Sequence, residues 1–194
     1  MRVLVVAPHP DDETLCCGGS IIQYLPNVKV VIVTDGRYGA PTEELRGSEE
    51  LVRIRKEEAL RALGILGVND VMFLNFEDSK VKEKEKEVKE ALSVVLNQYK
   101  PDLVFSPIPI DAHPDHSALG KIMLELYPSS YFYLIWVSNL SLSGWDEIKI
   151  NVSKYKERKI RALEEYKSQL GGFSKDFLAR FTGDYEVFYK RVNI

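Results

Sequence analysis

Val3-Leu4-Val5-Val6-Ala7-Pro8-His9-Pro10-Asp11-Asp12-Glu13 joins an unbroken aliphatic run to a proline stop and a cluster of carboxylates. An apolar run without polar alternation, ended by proline, is the pattern of a strand buried on both faces. Reading outward, Gly18 to Leu25 is predicted as a helix stopped by Pro26, and Val28 to Thr34 as a second buried strand. Asp35 to Pro41 reads as a loop. Thr42 to Leu66 reads as a helix with Leu51, Ile54, Ala59, Ala62, Leu63 and Leu66 on one face and Gly67 beyond its end. Val71 to Leu74 is a third strand, and Ser79 can cap a helix from Lys80 to Tyr99. Its mixed charges at i,i+4 spacing suit a solvated face. Leu103-Val104-Phe105 is a fourth strand. Beyond it come a helix from Ala118 to Leu126, a β-rich piece from Tyr131 to Val137, a strand around Glu147 to Val152 and a helix from Ser153 to Leu170. Alternating strands and helices with short connections predict a parallel sheet covered on both faces through right-handed crossovers. The expected fold is a Rossmann-like three-layer α/β domain spanning residues 1–194, with strand order 3-2-1-4-5 or similar.

The 194 residues, 45% of them hydrophobic, suit one folded domain with a substantial core. A formal charge of -3, with Lys and Glu interspersed, offers no broad basic face for nucleic acid. The apolar run Arg2 to Ala7 is too short for a signal-peptide core or a membrane span. Cys16 and Cys17 are the two cysteines, and neighbours in sequence are poorly placed for an unstrained disulfide. They are expected as separate thiols packed as small hydrophobes, in a reducing, cytoplasmic setting. Gly18 and Gly19 lack the G-x-G-x-x-G spacing of a phosphate cradle and are expected to serve close helix packing.

The three histidines, His9, His113 and His116, all fall in two His-Pro-Asp segments, beside Asp11, Asp12, Glu13 and Asp115. In a sheet of order 3-2-1-4, the first and fourth strands are neighbours, and ligands sit beyond their C-terminal ends. Both segments lie at those ends, so the topology brings them together. Carboxylates crowded at one point repel unless a cation sits among them. Mixed nitrogen and oxygen donors suit zinc, whose catalytic sites use three protein ligands and leave a position open. His9, Asp12 and His116 can form such a set. Asp11 is then the candidate general base for water attacking a carbonyl, and a protonated His113, held charged by Asp115, the candidate stabiliser of the tetrahedral intermediate and proton donor to the leaving amine.

Ala7-Pro8-His9-Pro10-Asp11-Asp12-Glu13-Thr14-Leu15-Cys16-Cys17-Gly18-Gly19, together with Asp111-Ala112-His113-Pro114-Asp115-His116-Ser117-Ala118-Leu119-Gly120, resembles the LmbE-like, or PIG-L, deacetylase family. Arg55-x-x-Glu58 with Leu66-Gly67-Val68, Phe76-Glu77-Asp78 and Tyr166-Lys167-Ser168-Gln169 extend the likeness over most of the chain. The resemblance implies a zinc enzyme, with other divalent ions possible, that removes the N-acetyl group of an N-acetylglucosamine-containing small molecule. The candidates are a chitin-derived disaccharide and an N-acetylglucosamine conjugate. It implies His9, Asp12 and His116 as ligands, Asp11 as base, His113 and Asp115 in support, and Arg55 and Asp78 as contacts to the sugar or its aglycone. It also implies a homo-oligomer. Arg55 is equally readable as a surface ion pair with Glu58, and Asp78 as a helix cap. Alternatives are an amidase acting on another carboxamide, such as a thiol conjugate, and a catalytically weak metal- or sugar-binding module.

Overall fold

The computed structural model describes residues 1–192. Strand β1 (Val3–Ala7) is buried along its whole length, as its unalternated run requires. It leads into α1 (Asp12–Tyr24), β2 (Val28–Thr34), α2 (Glu49–Leu66), β3 (Asp70–Phe76), α3 (Glu85–Tyr99), β4 (Leu103–Pro107), α4 (Pro114–Leu126) and β5 (Tyr131–Tyr133). The remainder comprises β6 (Trp145–Asn151), α5 (Lys156–Leu163), α6 (Lys167–Leu170), α7 (Lys175–Ala179) and β7 (Tyr185–Arg191). Among the described residues the strands form one sheet of order β3-β2-β1-β4-β5-β7-β6. Pairs up to β4–β5 are parallel, and β5–β7 and β6–β7 are antiparallel. The expected order 3-2-1-4-5 is present, extended by an antiparallel edge.

Alternate residues of β1 enter two cores. Val3, Val5 and Ala7 join the side chains of α1, α2 and α5, whereas Leu4 and Val6 pack with those of α3 and α4. Each such fully buried aliphatic side chain contributes roughly 1.5–3 kcal/mol. At Gly19 of α1 a Cβ would lie 2.4 Å from that of Val152, and at Gly18 one would lie 2.8 Å from Lys159 Cγ. The glycine pair therefore serves close packing, as expected.

Several boundaries differ from the expected ones. Helix α1 begins at Asp12, directly after the loop of Pro8 to Asp11, and not at Gly18. Helix α2 begins only after Ser48, whose Oγ accepts from Leu51 N, and the preceding residues form a loop. Ser79 does not cap α3, because its φ is +69° and its own amide donates to Asp115 at 2.8 Å; the helix starts at Glu85. The expected helix from 153 to 170 is divided into a 3-10 turn, α5 and α6. Cys16 and Cys17 are buried as expected but joined in a disulfide with Cα atoms 3.7 Å apart. Separate thiols are thus not what the fold contains, and the reducing, cytoplasmic setting inferred from them loses that support. Among the described residues, no helix is long and apolar enough to cross a membrane.

Candidate active site

Parallel pairing of β1 with β4 puts their C-terminal ends side by side, so the loops after Ala7 and after Pro107 meet. The first loop is fixed by Thr34 N donating to Pro8 O at 2.9 Å. It carries Asp11 at φ +147°, a conformation that L residues adopt only under constraint, of a kind that clusters at functional sites. The second loop ends in α4, with Pro114 in its first turn and His113 as N-cap.

Asp12 is the centre of the cluster. Its Oδ2 accepts from His9 N at 3.0 Å and lies 3.2 Å from both His9 Nδ1 and His116 Nε2. His116 is fully buried, yet neither ring nitrogen has a well-formed hydrogen bond. Its Nδ1 is backed by Asp111 Oδ2 at 3.4 Å, which leaves Nε2 directed at the cluster. A carboxylate behind an imidazole is the usual support of a metal-ligating histidine. Donor atoms of His9, Asp12 and His116 lie within 4.8 Å of one another, as do those of His9, His113 and Asp115. The first set fits a divalent cation better. It contains the orphaned imidazole nitrogen, whereas in the second His113 Nδ1 already accepts from Asp115 N at 3.1 Å.

Charge explains the titration of these groups. Burial opposes protonation of His116, but Asp12 and Asp111 raise its pKa to about 9. Burial likewise opposes the charged form of His9, and hydrogen bonds to Asp115, Asp12 and Asp78 drive its pKa well above the usual value. Burial alone would raise Asp12, yet His116 and His9 hold it below the ordinary carboxylate range. The carboxylates around His9 and His116 thus favour positive charge at this point. Asp11 is raised well above its usual pKa by burial and by the Asp12 charge, with Arg55 opposing. His113 is lowered by burial and by the neighbouring His9 and His116 charges. Glu13 is raised by burial to about 7, although Tyr166 OH donates to both its oxygens at 2.9 Å.

The expected site residues converge, with three departures in contact pattern, and burial disfavours the protonated His113 that was expected. The Asp115 carboxylate does not hold the His113 ring: Oδ2 meets His9 Nε2 at 2.8 Å and Ser79 N at 2.8 Å, and Oδ1 accepts from Val81 N at 3.3 Å. Arg55 is not a surface partner of Glu58, which instead accepts from Ser168 N and Oγ. The Arg55 guanidinium is buried, donating to Pro10 O at 2.7 Å and Gly36 O at 2.9 Å, and lies 3.4 Å from Asp11 Oδ2. Asp78 caps no helix. Its Oδ1 lies 3.0 Å from His9 Nε2 and its Oδ2 accepts from Tyr38 N at 2.9 Å; these contacts overcome burial and hold its pKa low. Arg55 and Asp78 both line a cavity of about 300 Å³ floored by His9, Asp11 and Asp12.

Asp111, Tyr38, Arg46, Trp136 and Phe173 also build this region and were not singled out from the sequence. Asp111 alone carried a usable signal, standing two residues before His113 in the second motif.

The family described as PIG-L: GlcNAc-PI de-N-acetylase matches residues 4–127. A probable N-acetyl-alpha-D-glucosaminyl L-malate deacetylase 2 of Bacillus anthracis is 31% identical over 183 residues, 87% of this chain and 81% of that protein. The diacetylchitobiose deacetylase of Thermococcus kodakarensis is 33% identical over 130 residues, 64% of this chain and 48% of that protein. Among solved structures, the N,N'-diacetylchitobiose deacetylase from Pyrococcus horikoshii superposes with a TM-score of 0.77 at 27% identity, covering 96% of this chain and 82% of that one. With both histidine segments inside the matched span and the fold shared from end to end, the chain belongs to the PIG-L family of deacetylases.

Proposed function

We propose that the protein is a zinc-dependent hydrolase that removes the N-acetyl group from an N-acetylglucosamine-containing small molecule. The observation that carries this reading is the fully buried, orphaned His116 Nε2 aimed at Asp12, which with His9, Asp11 and His113 lines the cavity. Relatives named as deacetylases of N-acetylglucosaminyl malate and of diacetylchitobiose support the substrate class. His9, Asp12 and His116 would hold the cation, and their mixed N/O donor set suits zinc. When bound, such a cation supplies Lewis acidity, making water nucleophilic near neutral pH and drawing electron density from an acyl oxygen.

Asp11 receives the proton of the attacking water and later delivers it to the departing amine. Arg55, 3.4 Å away and anchored on two carbonyls, keeps that carboxylate at the cavity wall. Because His113 Nδ1 accepts from Asp115 N, the neutral ring carries its proton on Nε2, where it can donate to the developing oxyanion. Asp115 fixes this geometry through its backbone and holds His9 through its carboxylate. The test is acetate release from N-acetylglucosamine, its disaccharide and its inositol and malate conjugates, before and after chelation. Release that stops on chelation and returns with zinc is expected; release indifferent to chelation would overturn the metal assignment.

A further inference from the structure

At about 300 Å³ the cavity lies at the small end of ligand pockets, roughly 300–1,000 Å³, so the acetylated sugar fills it and whatever is linked to that sugar lies at the rim. Two structures make up the rim. In the first, Trp136, 37% exposed, stacks on Phe177 at 4.6 Å, and Phe177 stacks on Phe173 at 4.8 Å. Trp136 and Phe173 face the cavity, and Trp136 N is tied to Asp111 at 3.1 Å. An aromatic wall of this kind takes the apolar face of a sugar ring.

Arg46 also lines the cavity, its guanidinium 5.3 Å from the centre of the Tyr38 ring. That seat is built by the loop. Tyr38 is pinned at both ends, its amide to Asp78 at 2.9 Å and its hydroxyl to Glu77 at 3.2 Å. Gly47, at φ +78°, donates to Arg37 O at 2.7 Å and turns the chain back beside the ring; a Cβ there would come within 3.3 Å of Tyr38 Cε1. The neighbouring arginines are engaged, Arg37 with Asp35 and Glu49, and Arg55 with Asp11 and two carbonyls. Among the described residues no carboxylate oxygen pairs with Arg46, although acidic residues flank it in sequence. The carboxylates of the cavity floor belong to the cation site and its supports. Arg46 is therefore a cavity-lining guanidinium seated beside the Tyr38 ring with no ion pair among the described residues, and its planar fork suits an anion.

We propose that Arg46 is a specificity-determining residue that selects substrates whose acetylated amino sugar carries an acidic substituent, a carboxylate or a phosphate, on the linked group. Resting on the deacetylase reading above, this narrows its substrate class from any N-acetylglucosamine conjugate to acidic ones. The experiment compares kcat and KM of the zinc-loaded wild type, Arg46→Ala, Arg46→Lys and Arg46→Glu. The substrates are N-acetylglucosaminyl malate, N-acetylglucosamine 1-phosphate and neutral diacetylchitobiose. The wild type is expected to favour an acidic substrate, and the malate and phosphate arms show which anion fits the fork. In Arg46→Ala the loss of kcat/KM on that substrate should exceed the loss on the disaccharide by about 10-fold, carried by KM, as expected for one charged hydrogen-bonding contact. Arg46→Lys should recover part of it, Arg46→Glu should deepen it, and added salt should narrow the preference. Equal losses on acidic and neutral substrates, or a wild type that prefers the disaccharide, would overturn the proposal while leaving the deacetylase reading intact. No acetate from any of the three would overturn that reading itself.

Discussion

Asp11 combines a constrained backbone, φ +147°, with a carboxylate shared between burial, Asp12 and Arg55. Asp11→Asn keeps the shape and removes proton acceptance, so kcat should fall by about 10²–10⁴-fold, the usual worth of a positioned general base. Metal content, measured by elemental analysis, should stay at the wild-type level, which separates base from ligand. The proposed histidine ligands predict a pH effect with a definite sign. In metal-stripped protein the folded pKa of His116 is raised to about 9 from a reference of 6.5. The stabilisation it gives is fully present below about pH 6.5 and is lost as pH rises through about 9. The melting temperature of the stripped protein should therefore decline across that window by scanning calorimetry. Adding zinc at pH 7 should release protons, because ligating imidazoles must be neutral, and an indicator dye in weak buffer would register it. At this scale much of the site could be read directly: only three histidines exist and all sit in two motifs. Arg46, Trp136 and Phe173 could not be, since each is an ordinary residue until the paths of three separate loops place it at one rim.

The elements show where local pattern was overridden. Residues 80–84 have helical charge spacing, yet the Asp115 carboxylate takes the amides of Ser79 and Val81 and postpones α3 to Glu85. The acidic stretch before Ser48 becomes rim loop because the Ser48 cap and the left-handed Gly47 mark the true start of α2. Strand β7 was not expected at all. Its inward residue Glu186 is charged, and its partners, β6 in the sheet and α1 and α5 beneath, lie far off in sequence. Glu186 accepts from Gly19 N, Ser20 N, Ser20 Oγ and Lys159 Nζ, while Lys159 Nζ also donates to Leu15 O. The ion pair thus straddles the turn of α1 that contains the disulfide. Glu186→Ala leaves a buried ammonium without its partner and should destabilise the fold by about 3–5 kcal/mol in denaturant titrations. Glu186→Leu combined with Lys159→Met should recover much of that loss, because two matched apolar groups need no partner.

In the whole molecule, the order β3-β2-β1-β4-β5 followed from unalternated aliphatic runs separated by helical stretches, whereas the antiparallel edge depends on tertiary pairing that no local run records. The switch between β1 and β4 joins a site whose proposed cation ligands, His9, Asp12 and His116, come from both halves of the chain, so on that reading ligation and folding are linked. At free zinc about 1,000-fold above its dissociation constant, binding stabilises the folded state by about 4 kcal/mol. For a chain of this size that corresponds to roughly 8–16 °C in melting temperature. Chelation should lower the melting temperature by this order, and His116→Ala should render the protein largely insensitive to chelator. Asp115 gives this linkage a further reach. One carboxylate ties the β1 loop through His9 and the β3 loop through Ser79 and Val81, while Asp78, next to Ser79, carries the Tyr38 seat of the rim. The proposed cation site and the proposed substrate rim thus hang from the same node. On the proposed reading, substitutions that reshape the Tyr38 loop should also alter zinc affinity, a coupling that metal titration of rim variants would measure.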